Sequence, residues 1–440
     1  MKRFVLTTII FVFACVSVLQ AGIFPFKIHE KTLDNGFKII AIPLSNPGIV
    51  AYYSVVRTGS RDEYEEGHTG FAHFFEHMMF RGTKKFPSNV YDRITTEIGA
   101  DTNAYTSDDI TAYHLEFAKE DLEQVMDLES NRFQELDYKE QAFKTEAGAV
   151  FGEYLKSKMN PWRILYNNLY FTAFDKHTYK HTTLGFEKDI IAMPTMYEYS
   201  KSFFNRYYRP KNVVLMIVGD IVPEDVFKLA EKYYGKWEQG YVPPKITEEP
   251  EQQGPRAKKV DFKGRTLPML AVAYKSLKFM PGSKDYVASN ILGDIMFGFT
   301  SDLYSQLVLK EQKVQTLYGD FSMNRDPNLN TVIALVKKKE DVDYVKEEIE
   351  KTLQEYRTEL MDKKKLDDLK SNLKYSFLMR LNSAARVAGS FTRFIALTGG
   401  IEAIDRYYLT LETITPEDIK AAAAKYFSDN RKTEILLLGE

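Results

Sequence analysis

Cysteine is almost missing from this chain: Cys15 is the only one among 440 residues. It can close no disulfide within the chain, so the fold must rest on packing. An excess of either charge is missing too. The 59 Lys and Arg against 61 Asp and Glu leave a net charge of −2, and removing residues 1–21 would take away Lys2 and Arg3 but no acid. No basic face is implied, and nucleic acid is therefore excluded as an expected partner. Histidine is scarce and one-sided, with seven in all and none after His181. Any chemistry that needs imidazole has to be built in the first half. Beyond residue 21 no apolar run is long enough to span a bilayer.

The first residues are a separate matter. Met1-Lys2-Arg3 is followed by an apolar run from Phe4 to Leu19 and then by Gln20-Ala21-Gly22. That order of cationic, apolar and small residues predicts a signal peptide over 1–21. The expectation is an exported, periplasmic or secreted protein, with no cysteine and no stable membrane association once the signal is cleaved.

A hydrophobic content of 44% and an aromatic content of 14% in 440 residues are ample for two cores rather than one. Residues 28–58 read as strands, with an Asn35-Gly36 turn before Phe37–Ile42 and a second run at Ile49–Val56. Helices are expected over 88–97, 119–133 and 138–158, and alternating strands over Asn103–Thr106 and Ile110–Phe117. A helix over 194–208 leads through Arg209-Pro210-Lys211-Asn212 into the apolar strand Val213–Gly219. Residues 241–258, rich in Pro, Gly and charge, read as a linker. The second half then repeats the first: a helix from Pro416 to Phe427, a polar turn, and the strand Ile435–Gly439 copy the 194–219 order. Met269–Tyr274 likewise matches Ile49–Val56. The expectation is an α+β fold of two homologous domains, 22–240 and 259–440, each a mixed β-sheet packed with helices. They are not equivalent, because Tyr286–Phe297 stands without histidine where the first half carries the segment described next.

That segment is Gly70-Phe71-Ala72-His73-Phe74-Phe75-Glu76-His77-Met78-Met79-Phe80-Arg81-Gly82-Thr83. On a helix, His73 and His77 lie one turn apart on one face, within reach of a single metal ion. Glu76 flanks the same face and can reach a water at that ion. Two helical histidines and a carboxylate base form the metalloprotease arrangement in inverted order. A zinc site of this kind needs a third protein ligand and an open fourth position. Glu140, Glu146, Glu153, His114, His177 and His181 are all candidates, and spacing does not choose among them.

The motif, together with Asn103-Ala104-Tyr105-Thr106 and the pair Glu146/Glu153, resembles the pitrilysin/insulinase family of zinc peptidases, the inverzincins. Tyr179–Gly185 and Tyr208–Gly219 also follow the family's pattern. The resemblance implies that His73, His77 and Glu153 hold one Zn²⁺ per chain and that Glu76 is the catalytic base. It also implies that Glu146 joins the catalytic set by orienting a ligand histidine, and that Asn103, Ala104 and Tyr105 form a substrate-binding edge strand. The implied activity is a metalloendopeptidase acting on unfolded peptides or small proteins. The alternatives are a non-proteolytic scaffold subunit of the family, or the zinc-bearing half of a heteromeric peptidase. The chain departs from the family's pattern in one respect. The second half usually supplies an Arg and, seven residues later, a Tyr that grip the substrate. Here Tyr318 stands at the Tyr position but Glu311 replaces the Arg, and Asp302 stands where members often carry Arg. The expected partner is accordingly a second copy or a related chain supplying an Arg/Tyr pair.

Overall fold

The computed structural model of the chain describes residues 23–45, 47–321 and 323–440; the signal reading over 1–21 lies outside them. Six strands build the first sheet: β1 (His29–Thr32), β2 (Lys38–Pro43), β3 (Ile49–Val56), β4 (Asp101–Thr106), β5 (Thr111–Ala118) and β6 (Val213–Gly219), in the order β1-β2-β6-β3-β5-β4. Five build the second: β7 (Arg256–Phe262), β8 (Met269–Lys275), β9 (Val314–Phe321), β10 (Leu329–Val336) and β11 (Lys432–Gly439), in the order β7-β11-β8-β10-β9. In each sheet one pair is parallel, β2 with β6 and β7 with β11, and every other pairing is antiparallel. The second sheet therefore repeats the β2-β6-β3-β5-β4 topology, and the duplicated α+β fold is the one the sequence predicts.

Five helices of the first half matter for the site: α1 (Phe71–Met78), α2 (Ser88–Glu97), α3 (Leu122–Glu135), α4 (Glu140–Ser157) and α5 (Pro161–Ala173). The central strands read as continuous apolar runs because both of their faces are covered. Along β3, Val50, Tyr52 and Val56 enter the core beneath Phe71, Phe74 and Phe75 of α1. Ala51, Tyr53 and Val55 enter a different core, which also holds Val387, Ala388, Phe391 and Ile395 of the second-half helix Ala384–Thr398. The exchange is mutual. Leu165, Leu169 and Ala173 of α5 pack with Met269, Ala271, Ile435 and Leu437 of the second sheet. Each half thus lends a helix to the other's sheet. Leu165 and Leu169 are fully buried, and each such side chain contributes about 1.5–3 kcal/mol, so the halves do not come apart cheaply. Helical periodicity reports an apolar face but not the sheet that face covers, which is why the exchange is invisible in sequence.

Strand β4 is one edge of the first sheet and β9 one edge of the second; β1 and β7 are the opposite edges. Strand β4 lies beside α1, with Thr106 at its end hydrogen-bonded to that helix. Among the described residues no helix is long and apolar enough to cross a membrane.

Candidate metal centre

Helix α1 starts at Gly70, whose φ of +92° only glycine adopts freely; a Cβ there would meet the Ile190 side chain at 2.5 Å. From that start His73, Glu76 and His77 fall on the face turned from the Phe-rich core, while Phe71, Phe74, Phe75 and Met78 are buried. Helix α4 passes alongside and brings Glu146 and Glu153, two turns apart, to the same place.

Three donor atoms converge. His73 Nε2 and His77 Nε2 are 3.3 Å apart. Glu153 Oε2 lies 3.5 Å from the first and 3.7 Å from the second. A tetrahedral ion with ligand bonds of about 2.0–2.2 Å sets its donors about 3.3–3.6 Å apart, so the triangle fits zinc with little movement. The imidazoles are prepared for it. Burial, with His77 and Arg163 nearby, pushes the His73 pKa down to about 4, which keeps the ring neutral. His77 Nδ1 lies 2.9 Å from Glu146 Oε1, so its proton faces the carboxylate and the Nε2 lone pair faces the other two donors. The Glu146 hydrogen bond, with the charges of Glu153 and Glu76, raises the His77 pKa. Without a metal His77 Nε2 can therefore donate a proton to His73 Nε2, and a cation would take that proton's place between the two nitrogens. Glu153 is 44% exposed, which leaves one side of the triangle open to water and substrate, as a catalytic rather than a structural site requires.

The Glu146 carboxylate is held twice, by His77 and by the Arg81 guanidinium, which donates to its Oε2. Burial alone would raise its pKa, but those two bonds outweigh it and hold the carboxyl below the usual range. Replacing it by an amide keeps the shape and loses the charge. Glu146→Gln should weaken zinc binding by about 10–100-fold, read by competition with a chromogenic chelator.

Glu76 sits beside the triangle, and its Oε2 accepts from the Thr106 hydroxyl at 2.6 Å. Burial raises its pKa against that hydrogen bond, as suits a base working near neutral pH. Asn103, Ala104 and Tyr105 precede Thr106 on the unpaired edge of β4. Tyr318 lies on β9, an edge strand of the second sheet, with its hydroxyl 3.3 Å from that of Tyr166 on α5. Glu311 is turned to Tyr344 and Gln306 within the second half, and Asp302 pairs with Lys365.

The other candidates for third ligand are engaged elsewhere. Glu140 pairs with Lys144, His114 stacks on Tyr53, His177 sits 3.0 Å from Asp326, and His181 lies behind the helix start, beside Glu63. Thr106, Arg81 and Arg163 are contributors that residue type alone does not single out. Thr106 and Arg81 belong to segments already notable in sequence, whereas Arg163 carries no such signal.

Residues 46–187 match the family described as Insulinase (Peptidase family M16), and residues 196–373 match the Peptidase M16 inactive domain. The chain is similar to the zinc protease PqqE of Helicobacter pylori, at 30% identity over 93% of this chain and 92% of that protein. Its structure resembles that of a protease from Helicobacter pylori, with a TM-score of 0.88 and 28% identity, covering 94% of this chain and 99% of the other. It shares its fold with the periplasmic protease PqqL from Escherichia coli, with a TM-score of 0.77 and 19% identity, over 95% of this chain and 48% of that longer one.

Proposed function

The chain belongs to the insulinase family of peptidases, and from that premise we propose that it is a zinc-dependent endopeptidase that cuts unfolded peptides or small proteins outside the cytoplasm. The observation that carries this reading is the donor triangle of His73, His77 and Glu153, with Glu76 beside it and a free edge strand running past.

One zinc ion per chain, held by those three residues, would polarise the scissile carbonyl and make a water acidic near neutral pH. Glu76 takes the proton of the attacking water and passes it to the leaving amine. Thr106 steadies the Glu76 carboxylate through one oxygen and leaves the other for the water. The substrate backbone pairs with β4 at Asn103, Ala104 and Tyr105 by β-augmentation, a mode that recognises main chain more than side chains. Since β4 ends at the residue that holds Glu76, a strand added there carries its carbonyls past the base. Tyr318, whose hydroxyl meets that of Tyr166 on α5, would be a further contact to the substrate. A heteromeric assembly is a second reading, favoured by one observation: Glu311 stands at the Arg position and faces away to Tyr344. Since a second copy of this chain would carry the same Glu311, a related chain would supply that cation. Activity of the chain purified alone separates the two readings. Export to the periplasm or beyond is supported by the N-terminal apolar run.

The test is metal analysis joined to a mixed peptide library. The expected result is one zinc per chain, with cleavage lost in a chelator and restored by added Zn²⁺. A zinc-free chain inert towards every peptide would replace the enzyme by a scaffold subunit.

A further inference from the structure

Helix α1 has no side chain of its own at its N-cap, because that position is Gly70. A helix start leaves N–H groups without partners, and here they are satisfied from outside. Glu63 Oε2 accepts from the Gly70 N–H and Oε1 from the Ala72 N–H, both at 2.7 Å. The carboxylate is 2% exposed. Its neighbour His181, 3.6 Å away, is held neutral by burial. Two hydrogen bonds accepted by one buried carboxyl group fix both the depth and the rotation of the helix, and the next residue after Ala72 is His73.

Glu63 is in turn seated by residues from both halves. It ends the short turn Gly59–Glu63, whose Arg61 Nε donates to Asp326 at 2.6 Å. Asp62 lies 3.8 Å from the Arg325 guanidinium, and Arg325 Nη2 donates to the Arg57 carbonyl at 2.7 Å. From the first half, Tyr207 donates to the Asp62 carbonyl and Thr178 to the Arg61 carbonyl, both at 2.6 Å. Arg325 and Asp326 belong to the loop between β9 and β10, in a half without a single histidine. A continuous set of contacts therefore runs from that loop through Arg61 and Asp62 to Glu63, and from Glu63 to the start of α1.

We propose that Glu63 is a positioning residue for the metal-binding face of α1, and that the second half sets the seat of Glu63 through Arg325 and Asp326. The inference rests on the zinc-peptidase reading and gives the half that holds no histidine a part in metal binding. The experiment compares the full-length wild type with Glu63→Gln, Asp326→Asn and Arg325→Met. Its readouts are the zinc dissociation constant by chelator competition, and kcat and KM on a fluorogenic peptide. Glu63→Gln keeps one acceptor and loses the other, and should weaken zinc by about 10–100-fold and lower kcat with KM unchanged. The two second-half variants should move both quantities in the same direction by less. A wild type that binds no zinc overturns the peptidase reading and this inference with it. A zinc-binding wild type whose Glu63→Gln form has unchanged affinity and kcat, whatever its melting temperature, overturns the positioning role alone. Unchanged zinc affinity in both Asp326→Asn and Arg325→Met removes the second half from the account.

Discussion

Glu76→Gln is expected to leave a chain that folds and binds zinc like the wild type, but whose kcat on peptides falls by about 10²–10⁴-fold. Glu76 lies outside the triangle of His73, His77 and Glu153, so metal content should not change. The amide oxygen can still accept from the Thr106 hydroxyl, which preserves the 2.6 Å contact that orients the side chain. What the amide cannot do is take a proton from water and hand it on. KM should hold, because main-chain pairing along β4 does not involve residue 76. Zinc stoichiometry and steady-state kinetics on the same preparation decide the matter. Hydrolysis within a few-fold of wild type would remove Glu76 from the mechanism and require another base.

The legible and illegible parts of this site differ in sequence range. His73, Glu76 and His77 are legible because helical geometry alone puts residues i and i+4 on one face. The third donor is not legible from spacing, since Glu140, Glu146 and Glu153 repeat along one helix and only packing decides which of them meets α1; in the sequence Glu153 comes from the family resemblance alone. The fold is legible where a signal recurs, as in the copied helix–turn–strand of 194–219 and 416–439. The exchange of α5 and Ala384–Thr398 between sheets is not, because an apolar stripe carries no address. Glu63 is hidden for a further reason. It sits among Asp62, Tyr64, Glu65 and Glu66, where a run of charge reads as a solvated loop, yet it is buried against the helix start.

The same ambiguity about charge underlies the largest expected effect on stability. Glu129 and Arg132 are three apart on an amphipathic helix, which in sequence reads as a surface pair of the i,i+3 type, contributing about 0.2–0.5 kcal/mol. In the fold Glu129 is 0% and Arg132 2% exposed. Arg132 donates through Nε and Nη2 to Glu129 Oε2 at 3.0 and 2.6 Å. Its guanidinium lies 5.0 Å from the Phe80 ring centre, 5.2 Å from Tyr91 and 4.9 Å from Tyr113. Arg132→Met strips the pair from Glu129 and leaves a carboxylate in a low-dielectric pocket, for which about 3–5 kcal/mol of destabilisation is expected. Burial raises the Glu129 pKa even with Arg132 in place, while Glu129 in turn favours the charged Arg132 guanidinium, so each charge depends on the other. The double variant Glu129→Leu/Arg132→Met should consequently recover most of the loss, since no charge is then left buried. The measurement is urea denaturation of the metal-free single and double variants beside wild type. A single variant within about 1 kcal/mol of wild type, the upper range of exposed pairs, would mean that water reaches Glu129. A double variant as unstable as the single one would locate the stabilisation in the cation's contact with the three rings, not in the pair. Tyr113 also donates to the Phe75 carbonyl of α1 at 3.0 Å, so zinc affinity should fall together with stability in Arg132→Met and return with it in the double variant.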